Sequence, residues 1–225
     1  MEIFSIIGTK KFSFIEIGVQ DSIECNSTNL LLNFNWKGAQ FEGCMESYKD
    51  GKKFFKRNNI KNNQCQLINK FIDINNINSL IRQTRITGEI DFFSLDIDGN
   101  DYWVWESINI IKPRLVVLEY NSSFGRHDSL TIPYNKEFVW DNKDDKRFFY
   151  GASLKALEKL SDKKGYDLVC VDSKGVNAFF VRKDLMKKSI LRKVKSEDVF
   201  IYNNDHNAKL KDIKKIVKKY NLLKV

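Results

Sequence analysis

Short apolar runs alternate with polar, amphipathic stretches along most of the chain, which is the pattern of strands and helices taking turns. Phe12 to Ile17 reads as a buried strand; the capping residues Asn26-Ser27-Thr28-Asn29 and a helix beginning Leu30-Leu31-Leu32 follow it. Gly38 to Gly43 reads as a second strand ending in Glu42, Glu46 to Asn58 as a polar outer helix, and Cys65 to Ile72 as a third strand. Ile77, Leu80 and Ile81 have helical spacing. Ile90 to Asp98 is the most apolar run and belongs in the middle of a sheet, followed by a helix from Tyr102 and a further strand, Arg114 to Asn121. From Ser122 to Tyr150 the periodicity stops. It resumes with a helix from Ser153 to Lys164, closed by Gly165, and two strands, Tyr166 to Asp172 and Val176 to Arg182, joined as a hairpin. The prediction is an α/β sheet, mostly parallel, ending in an antiparallel hairpin.

Composition narrows the class. With 42% apolar residues and two prolines in 225 residues, the chain is globular and large enough for one sizeable core. The expected organisation is a catalytic domain over residues 1–184 and a basic extension over 185–225 with a helix from Asn207 to Tyr220. Most of the formal charge of +9 falls in that extension. The four cysteines lack metal-site spacing and there are only two histidines, so reduced thiols in a cytoplasm are expected rather than a zinc site. No run of 18 apolar residues occurs, and no export signal or membrane span is expected.

Polar groups gather where the strands end. Glu16-Ile17-Gly18 closes the first strand and Glu42, 26 residues later, closes the second. A carboxylate at the second position accepts hydrogen bonds from both hydroxyls of a ribose. Asp73, after the third strand, either caps the next helix or reaches an adenine amino group. Asp96, Asp98 and Asp101 crowd the end of the fourth strand, where Asp101 is placed to cap a helix. Glu119 and Asn121 end the fifth. Like charges this close are tolerated mainly where a ligand, a cation or a proton uses them.

The runs FIEIGVQDSIECNSTNLLLN, FEG, DFFSLDIDGNDYWVW, RLVVLEYN, YGASLKALEKL and GVNAFFVR resemble the FkbM-like branch of the class I S-adenosylmethionine (SAM) methyltransferases. The resemblance covers about Phe12 to Asp184. It departs from the family's glycine-rich turn at Gln20 and Ser22, so that turn is expected to be rearranged or to hold SAM less closely. It implies a Rossmann-like seven-stranded methyltransferase sheet, with SAM held by Glu16, Gly18, Asn26, Glu42, Asp73 and Asp96. The implied reaction is O-methylation of a sugar, a nucleotide-linked sugar or a related glycan in surface or secondary-metabolite biosynthesis.

Asp98, His127 and Glu119 are the candidate proton acceptors. Asn121, Tyr134, Trp140 and Tyr150 are the candidate acceptor contacts, the last three in a substrate lid whose Arg126, Lys146 and Arg147 suit an anionic acceptor. Asp96, Asp98 and Asn121 form an oxygen-rich set that also suits Mg²⁺, although no metal is required by the chemistry. A binding protein that has lost SAM, and an RNA methyltransferase recruited through the basic tail, are the rival readings.

Overall fold

The apolar runs form strands and the amphipathic ones helices. The computed structural model describes residues 2–203 and 218–225. In chain order its elements are α1 (Glu2–Ile7), β1 (Ser13–Ile17), α2 (Thr28–Asn33), β2 (Lys37–Glu42), α3 (Met45–Arg57), β3 (Cys65–Asn69), α4 (Ile77–Thr84), β4 (Gly88–Leu95), α5 (Asp101–Ser107) and β5 (Ile111–Glu119). Then come β6 (Leu130–Thr131), α6 (Leu154–Lys163), β7 (Tyr166–Val171), β8 (Asn177–Arg182), α7 (Lys183–Met186), α8 (Ser196–Val199) and β9 (Leu223–Lys224). The main sheet runs β3-β2-β1-β4-β5-β8-β7, with β1 parallel to β2 and β4, β2 parallel to β3, and β7 antiparallel to β8. This is the mostly parallel sheet with a terminal antiparallel pair that the sequence predicts.

The chain divides into two compact units. The first is Met1–Asp96 with Ser107–Val116. Its core is the continuous apolar set of β1 and β4, in which Phe14, Ile15, Phe93 and Leu95 are fully buried, each side chain contributing about 1.5–3 kcal/mol. Phe14 lies flat against β2 because Gly38 has no side chain to displace it; a Cβ there would meet the ring at 2.5 Å. The short helix α1 has too few residues for its periodicity to be read, and it packs Phe4 on Trp36 with ring centroids 4.9 Å apart. Buried Asp91 accepts backbone N–H bonds from Lys10 (2.6 Å), Lys11 (2.8 Å) and Ser13 (3.2 Å), fixing the start of β1 to β4.

The second unit is Ile97–Glu106 with Val117–Val225. In it α6 begins as the sequence predicts, with the Ser153 hydroxyl accepting from the Ala156 N–H at 3.1 Å, and Gly165 has a left-handed φ of +90°. Asp172 closes the β7–β8 hairpin by accepting from the N–H groups of Lys174, Val176 and Asn177. The described part of the 185–225 segment belongs to this unit. Lys193 bridges Asp162 (2.7 Å) and Asp167 (3.2 Å), Ser196 donates to Glu158 at 2.7 Å, and β9 pairs antiparallel with β6. The helix expected over Asn207 to Tyr220 falls, apart from its last three residues, outside the described residues.

Three strands differ from expectation at their ends; β3 stops at Asn69 rather than Ile72. β4 stops at Leu95, so Asp96 and Asp98 lie in the loop that follows; Asp98 has φ +52°, which no strand residue adopts. β5 starts at Ile111 and runs through Pro113, whose missing N–H falls near the strand's beginning, where it is tolerated. Gly38→Ala should cost about 1–3 kcal/mol through overpacking against Phe14, measured by urea unfolding. An unchanged midpoint would contradict the close approach of Phe14 to β2.

Candidate functional site

In the first unit the carboxyl ends of β1, β2 and β4 lie in register. The Gly18 N–H donates to the Phe41 carbonyl at 2.9 Å and the Asp96 N–H to the Ile17 carbonyl at 3.1 Å. The turn after β1 keeps left-handed backbone at Gly18 (φ +81°), Gln20 (φ +48°) and Ser22 (φ +64°). Two side-chain-bearing residues, Gln20 and Ser22, thus adopt the glycine-type conformation, at about 1–2 kcal/mol each. Glu42 offsets that cost. One of its oxygens accepts from the Gln20 N–H at 2.7 Å and the other from the Cys44 N–H at 2.7 Å. A carboxylate so engaged keeps further lone pairs on both oxygens for a vicinal diol.

Glu16 holds the later part of the same connection. Its two oxygens accept from the N–H groups of Asn26 (2.8 Å) and Ser27 (2.7 Å), tying the entry of α2 to the end of β1. Burial raises its carboxyl above the ordinary range, against the lowering effect of those bonds. Its visible role is closure of the turn rather than a reach toward a ligand. Behind it, Gln40 donates to the Ser27 hydroxyl at 3.0 Å and to the Cys25 thiol at 3.3 Å, and the Asn26 amide donates to Ser94 at 3.0 Å. Burial, and then the charge of Glu16, push the Cys25 thiol up to about 12, so it is a protonated packing group.

Asp73 closes the turn that leads into α4 and does not cap the helix itself, whose N-cap is Asn76. It accepts from the N–H groups of Asn75 (2.7 Å) and Asn76 (3.0 Å) just before α4. A groove of about 440 Å³ lies elsewhere in this unit, lined by Lys52, Lys53, Phe55, Lys56, Ile60, Asn62, Cys65 and Leu67. Cys65 opens β3, so this groove sits at the amino end of a strand and away from the carboxyl-end cluster.

In the second unit Asp101 organises the loop that carries Asp98. It is fully buried and accepts from the N–H groups of Ile97 and Gly99, each at 2.9 Å, on either side of the left-handed Asp98. Asp98 is half-buried, and its carboxylate lies within 4.8 Å of that of Glu119, which is 8% exposed. Strain at a polar residue held by its neighbours marks a place where orientation matters.

The remaining candidates separate. Asn121 is fully buried: its amide donates to the carbonyls of Phe148 (2.8 Å) and Tyr150 (2.9 Å), and its oxygen accepts from the Ser123 N–H at 2.9 Å. It therefore anchors the two ends of the lid to each other, with both amide hydrogens used within the fold. Tyr150 is 3% exposed and packs edge-on to Trp140 at 6.3 Å, so Trp140 and Tyr134, both half-buried, are the aromatic groups left to meet a ligand. His127 is exposed, with the partly exposed Glu197 at 3.9 Å. The three lid cations have local partners: Lys146 pairs with Asp141 at 3.0 Å, Arg147 lies over Phe148 and Arg126 over Phe200. All four cysteines are free thiols, and among the described residues no helix is long and apolar enough to cross a membrane.

Burial raises the Asp101 carboxyl from an ordinary 3.8 to about 6. Between those values the folded chain keeps a proton that the unfolded chain has released, so this group's contribution is full below the lower value and lost as pH rises through the upper one. Asp101→Asn, which does not titrate, should therefore become more stable relative to wild type by about 2 kcal/mol between pH 4 and pH 7, read by urea unfolding. A stability difference independent of pH would contradict this.

No protein-family model matches the chain, and no curated protein matches its sequence. Solved structures do match its fold. One is a Staphylococcus aureus protein with a provisional caffeoyl-CoA O-methyltransferase assignment, at 12% identity and a TM-score of 0.51, covering 80% of this chain and 79% of that one. Another is the methyltransferase PaMTH1 of Podospora anserina bound to S-adenosylhomocysteine (SAH), at 14% identity and a TM-score of 0.52, covering 76% and 72%. At such identities the likeness is one of architecture: the chain has the Rossmann-like fold of the class I SAM-dependent methyltransferases.

Proposed function

We propose that this protein is a SAM-dependent methyltransferase acting on a hydroxyl of a sugar, nucleotide-linked or lipid-linked, as the FkbM-like resemblance implies. The observation that carries the cofactor half is Glu42. It is the last residue of β2, mostly buried, and hydrogen-bonded to the left-handed turn after β1, with acceptor capacity remaining for a ribose diol. Gly18 and Gln20 would line the cofactor on the turn, and Glu16 holds that turn through Asn26 and Ser27. Bound SAM supplies an electrophilic methyl group on a sulfonium, so the protein need only bind, orient and remove a proton.

For the proton, Asp98 is favoured over His127. Asp98 is held in a fixed, strained conformation by Asp101, whereas His127 is exposed and loosely partnered. Glu119, near Asp98, would share the acceptor hydroxyl's proton, since two close carboxylates favour a donor between them. Trp140 and Tyr134 would offer aromatic faces to the apolar side of a pyranose. Three carboxylates and amides expected at the acceptor thus reduce to Asp98 and Glu119, Asn121 being occupied within the lid.

A screen of acceptors with methyl-labelled SAM, read by mass spectrometry, tests the reading. Label is expected in a nucleotide- or lipid-linked sugar, with transfer falling by about 10²–10⁴ in Asp98→Asn while SAH still binds. Label found only in RNA or protein would refute the acceptor class. Undiminished transfer by Asp98→Asn would remove Asp98 from the chemistry.

A further inference from the structure

The lid is built around an apolar cluster that includes residues from the far end of the chain. Phe124, Leu130, Ile132 and Phe148, all from the 122–150 segment, bury against Leu222, with Phe138, Phe149 and Tyr220 packed around them. Phe149 stacks on Tyr220 at 4.6 Å and an interplanar angle of 25°. Backbone pairing accompanies the packing: Leu130 and Thr131 face Lys224 and Leu223 in an antiparallel ladder, and the Val225 N–H donates to the Ser129 carbonyl at 3.1 Å. The Ser129 hydroxyl donates to the Val225 carbonyl at 2.5 Å, and Lys159 on α6 donates to it at 2.9 Å.

The same cluster touches the Asp98 loop. Phe138 lies over Gly99, where a Cβ would meet its ring at 2.5 Å. Asn100 donates its side-chain amide to the Asn135 carbonyl at 2.7 Å and accepts from the Asn135 N–H at 3.3 Å. The Gly151 N–H donates to the Gly99 carbonyl at 3.0 Å, and the Trp103 indole donates to the Ile132 carbonyl at 2.9 Å. The loop bearing Asp98 is thus gripped by the lid, and the lid is gripped by residues 220–225.

We propose that residues 220–225 form a positioning strap that fixes the lid on the Asp98 loop, so that recognition of the acceptor depends on them while binding of the cofactor does not. The lid has little regular structure of its own: two short 3₁₀ turns and the two-residue β6. A segment with so little regular structure takes its order from what packs on it. Tyr220 and Leu222 supply that packing from one side and Phe138 transmits it to Gly99. The groups assigned to the cofactor, Gly18, Gln20 and Glu42, belong to the other compact unit. The acceptor part of this inference rests on the methyltransferase reading; the ordering part does not.

The test compares wild type with Tyr220→Ala, Leu222→Ala and the conservative Tyr220→Phe, each confirmed as folded by circular dichroism. Hydrogen exchange across 122–150 and 97–103, SAH affinity by calorimetry and acceptor KM are measured on each. In the two alanine variants, exchange in both segments and acceptor KM should rise by about tenfold or more while SAH affinity stays within about twofold; Tyr220→Phe, which keeps the stack, should match wild type. Unchanged exchange in folded alanine variants, or a parallel loss of SAH affinity, would overturn the strap. So would a Tyr220→Phe protein that behaves like Tyr220→Ala. Wild-type protein that binds no SAH would refute the methyltransferase reading instead, and the exchange data would still decide whether the strap orders the lid.

Discussion

Buried carboxylates that accept backbone N–H groups allow this chain to use glycine-type turns without glycines. Gln20 and Asp98 carry side chains yet have left-handed backbone, at a cost of about 1–2 kcal/mol each. Hydrogen bonds to a charged acceptor contribute about 1.5–3 kcal/mol each, comparable to that cost. Glu42 supplies one to Gln20, and Asp101 supplies two around Asp98. Glu16 does the same for the entry of α2 and Asp91 for the entry of β1. Without these acceptors the strand ends would relax toward ordinary turns and the polar groups beside them would lose their orientation.

The division of labour follows from which strands end where. In the first unit the parallel strands β1, β2 and β4 bring Glu16, Gly18, Glu42 and Asp96 to one edge, the arrangement suited to a nucleotide-type ligand outside the carboxyl ends of a sheet. In the second unit the Asp98 loop, Glu119 and the lid provide carboxylates and aromatic faces, which the proposed acceptor would use. Lysine-rich surface segments contribute solvated charge: Lys53 pairs with Asp50 and Lys146 with Asp141 at the exposed surface, where such pairs contribute little.

Much of this is legible from residue order because strands and caps are local. The period-two and continuous apolar runs placed β1 to β5, β7 and β8, and the Ser153 cap and the left-handed Gly165 stand where the pattern puts them. Roles that depend on distant partners were hidden. Asn121 reads as a strand-end polar group, yet its partners are the carbonyls of Phe148 and Tyr150, 27 and 29 residues away. Tyr150 reads as a lid aromatic but is buried beneath it. Asp91, in the middle of an apolar run, gave no sign that it would accept three N–H groups from a segment 78–81 residues earlier. The departure at Gln20 and Ser22 left the form of the turn open, because a sequence motif counts glycines and cannot see the Glu42 oxygen that meets the Gln20 N–H.

The account turns on Glu42 as the group that both fixes the turn after β1 and receives the cofactor's ribose. Isothermal titration of the folded protein with SAH tests this most directly, wild type against Glu42→Ala. The account predicts saturable binding by wild type and affinity at least about tenfold lower in the variant, the loss of a charge-assisted pair of hydrogen bonds. Absence of heat with folded wild-type protein, or equal affinity in the two, would contradict it.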